Sequence, residues 1–360
     1  MQNSRPRGLR RFFNVSTLTF RLWDFTGTAI LNLFIWIAVL LYLSPLTYMI
    51  TTALKTGAEL SDSAAPIYPA VVETYTYQGT AYDVYAVPTD AGMKHWALVN
   101  SYQKYSEFID PANPGAGLIH WDGFWRGLKK VYRPSVTFDN FVNLWKNIDY
   151  PQKLRNTFVV VGLGELGMFL SSIAVAYGFS RFRVPGGRFL FLLVIATIMI
   201  PDSITLVPSF VIYARVLGWN GSFLPLIVPA FFGNAIYIFL LRQNFKAIPR
   251  DLDEAAMLDG AGPLRILTSV ILPQAVPVVV TVGLLQFFNA WNEMRMSSLY
   301  LGIRPDLQTM AFSAQAFVTY GFTPEVLQAS AIILMIIPVV ILFLAQRYFM
   351  QDMIVTGIEK

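Results

Sequence analysis

The chain has 360 residues, with Lys or Arg at 27 positions and Asp or Glu at 22, a formal net charge of +5. Apolar residues make up 55% and charged residues only 14%, against about 25% charged in a soluble domain. This balance indicates a membrane protein, and the absence of cysteine excludes disulfides, thiol catalysis and thiolate metal sites.

The N-terminal segment, 1–27, carries Arg5, Arg7, Arg10 and Arg11. The apolar run that follows is too long for the core of a cleavable leader and reads as a retained first transmembrane helix, 28–52. A bilayer-crossing helix needs about 20 mostly apolar residues. Six windows qualify: 28–50, 156–180, 188–213, 222–241, 273–291 and 326–349. With the N-terminus inside, the inner loops hold 14 basic residues and the two short outer loops hold 3, Arg215, Arg295 and Arg304. The bias places both termini in the cytoplasm. It also explains the net charge, so no nucleic-acid partner is expected and the lipid bilayer is the surrounding medium.

The long segment 57–135 then lies outside the membrane. VVETYTYQGTAYDVYAVP alternates β-branched, aromatic and polar residues around Gly79, a strand signal, and NPGAG at 113–117 reads as a turn. The expectation is a small β-containing extracytoplasmic insert on an otherwise all-α, six-span polytopic membrane protein. Trp96, Trp121 and Trp125 in that insert read as core or interface anchors ahead of a sugar platform. Prolines 45, 201, 208, 225, 229, 277 and 338 interrupt the spans. Lipid tolerates them only where neighbouring helices or a cavity satisfy the freed carbonyls, so the helices of the core, 136–350, pack around a path. A tail, 351–360, ends the chain.

Between the fourth and fifth windows lies DEAAMLDGAGPLRILTSVILP, 253–273. Asp251 is placed to cap a short helix, with Glu254 three residues on to reach back. Asp253 and Glu254 suit its first turn, where the helix dipole favours negative charge. Leu252, Ala255, Ala256 and Asp259 fall on one face, Gly260 is a natural stop, and Pro263 suits the start of a second short helix. From the residues alone, this loop (251–273 with its cap) is either an interfacial connector or a docking element.

The stretch EAAMLDGA…VILP resembles the EAA loop of ABC importer permeases. Glu254, Ala255, Ala256, Gly260, Leu272 and Pro273 match its pattern, Asp259 and Ala261 fit its common DGA form, and Val270 departs from the usual isoleucine. AYGFSRFRVPGGRFLF (176–191), IPRDLDEAA, FNAWNE (288–293) and AQRYFMQDMIVTGIEK are similar to further stretches of the maltose-type carbohydrate permeases, in particular to their shorter six-span partner; the 57–135 insert departs from that pattern. The resemblance implies a coupling helix that docks into a cytoplasmic ABC ATPase dimer through Glu254, Ala255, Ala256, Asp259 and Gly260, with Gly357 and Lys360 as weaker tail contacts. It also implies a second permease subunit, an extracytoplasmic solute-binding protein and a prokaryotic plasma (inner) membrane. The chain has no GxxxxGK[ST] phosphate loop. It is therefore expected to bind no cofactor itself and to be no enzyme, with ATP and Mg on the partner.

Intramembrane polar residues are costly and mark function by default. Glu165, Asp202, Asn289, Trp291, Asn292 and Glu293 are the candidates for a translocation path. Amides and carboxylates suit sugar hydroxyls, and Trp291 suits a ring. Asn234 and Gln286 read as helix–helix hydrogen-bonding groups. The leading function is a transport subunit for a sugar or oligosaccharide. The alternatives are a permease for glycerol-phosphate, a polyol or an amino acid, or a stand-alone secondary transporter with Glu165 and Asp202 as ion sites. His95 and His120 lie 25 positions apart without a metal-ligand cluster, which argues against a membrane enzyme.

Overall fold

A computed structural model describes residues 15–147, 149–319 and 321–356. Arg5, Arg7, Arg10 and Arg11 lie outside the described residues, as do Gly357 and Lys360. The chain divides at Thr51 and Thr52 into two compact units.

The first unit is built on α1 (Val15–Ala53), 39 residues without a break. Pro45 lies inside it and cannot donate to the carbonyl four residues back. The Ser44 hydroxyl donates to that carbonyl, Leu41 O, at 2.8 Å. The helix is sheathed in exposed apolar side chains, among them Ile30, Phe34, Trp36, Leu40 and Leu41, as a lipid-facing helix requires.

The second unit begins with a buried polar anchor. Lys55 and Glu59 pair at 3.2 Å with both side chains buried. Lys55 Nζ donates to Pro66 O at 2.6 Å, and Ala70 N donates to Glu59 Oε1 at 3.0 Å. The Asn140 amide donates to Ala53 O and Lys55 O, each at 2.8 Å. Each buried charge therefore has partners, as burial demands.

The sheet that follows holds β2 (Thr74–Tyr77), β3 (Thr80–Thr89), β4 (Gly92–Ser101), β5 (Tyr105–Ile109) and β6 (Leu118–Asp122) in that antiparallel order, with β7 (Lys129–Lys130) on β3. Alongside it, β1 (Ala70–Val72) pairs with β8 (Tyr132–Pro134). The β2–β3 hairpin turns at Gln78 and Gly79, with φ of 50° and 84°, the left-handed pair a two-residue hairpin demands. The expected strand signal and the 113–117 turn are both present. One face buries Val84, Ala97 and Ile109. The other buries Tyr85, Val87 and Phe108 with Trp96, Trp121 and Trp125 packed against them, so these tryptophans are core residues.

The remainder is helical: α2 (Asp139–Asn147), α3 (Tyr150–Arg181), α4 (Gly187–Thr197), α5 (Asp202–Phe210), α6 (Ala235–Ala247), α7 (Asp251–Leu258), α8 (Val276–Trp291), α9 (Arg295–Leu301), α10 (Met310–Thr319) and α11 (Pro324–Thr356). The hub is α3, whose buried positions Val160, Val161, Gly164, Gly167, Met168, Ser172 and Ala176 recur at helical spacing. Its lower half packs with α6, α8 and the segment around Ile266 and Ile271 in one core. Gly167 is required by close approach: a Cβ there would collide with the Phe231 ring.

Among the described residues four helices are long and apolar enough to cross a membrane, or up to six spans if each bent pair counts as one. The third and fifth windows, each of which the sequence shows interrupted by proline, fall in bent pairs. Gly187–Thr197 meets Asp202–Val216 at 90°, and Pro263–Gln274 meets Val276–Trp291 at 84°. Proline is the reason. Pro201 disfavours a helical residue before it and stands as the cap of α5. Pro273 and Pro277 flank Ala275, where the second bend falls.

Candidate functional site

The charged loop folds as a short helix. α7 spans eight residues, with Asp251, Asp253 and Glu254 in its first turn. The anticipated capping box does not form. Arg250 occupies the cap with helical backbone and no side-chain cap bond, because the helix begins one residue earlier than the carboxylate of Asp251 would require. Asp253, in the first turn as expected, is buried and lies 2.7 Å from Arg181 of α3. Glu254 and Ala255 are exposed, and Ala256 is half-buried against the helical core.

The far end of α7 closes in a Schellman motif. Ala261 N donates to Ala256 O and Gly260 N to Met257 O, both at 2.9 Å. Gly260 sits at φ +79°, the left-handed region that favours glycine. Asp259, the preceding cap residue, is exposed. The loop therefore presents Glu254, Ala255, Met257, Leu258 and Asp259 outward. Leu258 is 90% exposed and Met257 59%. A slot of about 230 Å³ beside the helix is lined by Tyr177, Arg181, Arg250, Asp253, Glu254 and Met257. After Pro263, a helical turn and a wider π turn lead to Leu272 and the bend.

A second feature lies among the spans. A cavity of about 310 Å³ is lined by Val160, Ser209, Tyr213, Gln286, Asn289 and Glu293, together with Pro225, Pro229 and Met296. Asn289 Nδ2 donates to Tyr237 Oη at 2.9 Å. Glu293 Oε1 accepts from Met296 N at 2.7 Å, which fixes the start of α9. The amide of Gln286 faces Gly164 on α3, where a Cβ would stand 3.8 Å from Nε2.

The other path candidates are placed elsewhere. Trp291 does not line the cavity. It is buried, its Nε1 donates to Leu334 O at 3.0 Å, and its ring stacks on Phe287. Asn292 is exposed and its amide donates to Phe288 O at 2.9 Å. Asp202 is exposed in the first turn of α5. Glu165 has buried carboxylate oxygens without a hydrogen-bond partner among the described residues and faces Gly283, where a Cβ would stand 3.1 Å from Oε1. Asn234, read as an interhelical group, instead caps α6 by accepting from Ile236 N and Tyr237 N. Ser209, Tyr213 and Tyr237 escaped the sequence reading, since hydroxyl-bearing residues in an apolar window carry no charge signal. Arg181 escaped as a partner because its contact is 72 positions away.

Comparisons with known proteins place the chain in a family. The model of the family "Binding-protein-dependent transport system inner membrane component" matches residues 167–355, the stretch that holds the loop and most of the cavity. The osmoprotective compounds uptake permease protein GgtD of Synechocystis is 28% identical over 258 residues, 70% of this chain and 85% of its own length. The arabinooligosaccharides transport system permease protein AraQ of Halalkalibacterium halodurans is 28% identical, over 65% of this chain and 84% of its own. The alpha-glucoside transport system permease protein AglG of Rhizobium meliloti is 25% identical, over 63% and 61%. A chain of a bacterial ABC transporter involved in the import of alginate superposes with a TM-score of 0.61 at 19% identity, over 96% of this chain and all of that one. That likeness is one of fold, and it includes the insert. The chain belongs to the family of binding-protein-dependent transport system inner membrane components.

Proposed function

We propose that the chain is the transmembrane permease subunit of an ATP-driven importer for a carbohydrate. The observation that carries the coupling half is the α7 loop: folded, capped at Gly260, and exposing Leu258 and Met257 beside Glu254. In this reading the exposed Met257 and Leu258 form the apolar part of a surface that another protein covers. In this reading Glu254, Ala255, Asp259 and Gly260 form the contact with an ABC ATPase dimer, and Ala256 seats the helix on its own core. ATP and Mg are bound by that partner. Gly357 and Lys360 would add tail contacts.

The orientation follows from the charge bias: termini and loop in the cytoplasm, insert 57–135 outside, six spans with the two bent pairs counted as one each, in the plasma (inner) membrane of a prokaryote. The solute-binding protein then docks on the outer side, and a second permease subunit completes the path. Gln286, Asn289 and Glu293 supply the amide and carboxylate groups that suit sugar hydroxyls, and the names of AraQ and AglG point to the same solute class. A small osmoprotective solute is the second reading, favoured by the name of GgtD.

The test is purification of the tagged full chain from native membranes. Recovery of an ABC ATPase and a second permease, with hydrolysis stimulated by one sugar-loaded binding protein, is the expected outcome. Full uptake by the chain alone in ATPase-free proteoliposomes overturns the reading.

A further inference from the structure

The last turn of α3 holds the loop at four points, one of them Arg250 Nη2 donating to Ser180 O at 3.5 Å. Arg181 Nη2 donates to Ile248 O at 3.0 Å, before α7 begins. Arg181 Nε lies 2.7 Å from Asp253 Oδ2, within α7. Tyr177 Oη donates to Pro263 O at 3.0 Å, after α7 ends. The central contact is the unusual one. Both side chains are over nine-tenths buried, at 6% and 9% exposure. The Nε–H points off the hydrogen-bond line, so the contact is charge to charge, and Asp253 Oδ1 has no hydrogen-bond partner among the described residues. Among the described residues the Arg181 guanidinium is the one group paired with this carboxylate.

Stability is a weak reason for such a pair, because desolvation consumes most of the attraction and apolar residues do as well. The same turn holds Asp251 and Glu254 exposed, so an acidic first turn does not need a buried member. What burial does supply is a constraint on movement. α7 cannot rotate or slide against α3 without leaving two opposite charges unpaired beside Tyr177, Phe182 and Ile266, which line the same slot. From Arg181, α3 runs unbroken to Val160, a wall of the polar cavity. That distance is about 30 Å at the helical rise.

We propose that the Arg181–Asp253 pair is the joint through which displacement of the docking loop is carried into α3 and so to the cavity, with Arg181 as a positioning residue for coupling. The inference rests on the docking function proposed for α7.

The chain has no cysteine, so one introduced residue reports on it alone. The parent is Ser209→Cys, at the cavity wall, in the complex purified with its ATPase. The readout is the rate at which N-ethylmaleimide labels this chain, with and without Mg·ATP and vanadate. The parent rate is expected to change by about tenfold, within the usual range for coupled sites. Asp253→Asn and Arg181→Gln should still co-purify the ATPase yet change by less than about twofold, while Arg181→Lys, which keeps the charge but loses the second contact to Ile248 O, keeps part of the parental response. Should either single variant fail to assemble, Arg181→Gln with Asp253→Asn leaves no buried charge and gives the same reading. A parental response in the uncharged variants overturns the joint. A parent that recruits no ATPase, or does not respond to ATP, overturns the docking function and the joint with it.

Discussion

Substitution of Gly260 separates backbone strain from lost contact. Its φ is +79°, and a Cβ built there meets nothing within 4 Å. Any cost of a side chain is therefore torsional. An L-residue held in the left-handed region costs about 1–2 kcal/mol, with asparagine the tolerated exception. The strain falls on two bonds that close the loop, Ala261 N to Ala256 O and Gly260 N to Met257 O. An opening equilibrium there should shift by about 5–30-fold. Hydrogen–deuterium exchange of the amides at 260 and 261, in the detergent-purified full chain, reads it directly. Gly260→Ala should accelerate exchange by that factor, Gly260→Val by more, and Gly260→Asn by no more than about threefold. Capture of the ATPase should fall in the same order. Equal exchange in the alanine and asparagine variants, or native exchange in the valine variant, refutes the torsional argument.

Other expectations follow from single contacts. Trp291→Ala removes a fully buried ring and should cost about 3–5 kcal/mol, lowering the melting temperature in detergent, whereas the neighbouring exposed Asn292→Ala should stay within about 0.5 kcal/mol. Gln286→Leu and Asn289→Leu should reduce uptake severalfold with assembly intact, and Tyr237→Phe, which breaks the Asn289 bond from outside the cavity wall, controls for lost geometry. In the insert, the Tyr132 hydroxyl and the Ala64 amide hold the Asp62 carboxyl below its usual range. A depressed carboxylate contributes stability above its unfolded value and loses it as pH falls through the folded one. Protection of the β1–β8 pair, corrected for intrinsic exchange, should therefore fall below about pH 4 in the native chain and show no such step in Asp62→Asn. Deleting 57–135 should weaken capture of the solute-binding protein and leave ATPase capture unchanged.

Much of the membrane part was legible because lipid imposes a long apolar window and basic loops leave a charge bias. The insert was legible because alternation and the Gln78–Gly79 turn are local. Gly260 was legible for the same reason, since a left-handed cap needs no distant partner. The bends were harder. Seven prolines in apolar windows signal interruption, but whether Pro45 is absorbed by a hydroxyl donor or Pro201 ends a helix depends on neighbours. The fate of Asp253 was illegible. Three acids in one turn look alike in sequence, and only the approach of Arg181 from α3 buries one of them. Trp291 shows the same limit from the other side. An aromatic beside two amides suggests a binding wall, yet Leu334 O, 43 positions away, takes its indole hydrogen.

The loop reaches the cavity by two routes, and they differ in mechanical character. Along the chain, α7 leads through Pro263–Gln274 into α8, which carries Gln286 and Asn289. That route passes an 84° bend at Ala275 between two prolines. The bend is buried, with Ile271 and Ala275 fully covered, so it is held in shape by packing, but Pro277 removes the backbone donor that would make it continuous helix. Across space, Arg181 leads into α3, which has no proline beyond its first turn. On the proposed coupling, a displacement passed only through the bend can be absorbed there, whereas one passed also through α3 reaches a second part of the cavity wall, at Val160. Relative motion of the two walls is what opens or closes a cavity between them. Both routes leave from the same two turns of helix, whose first turn holds Asp251 and Glu254 exposed and Asp253 buried against its own chain.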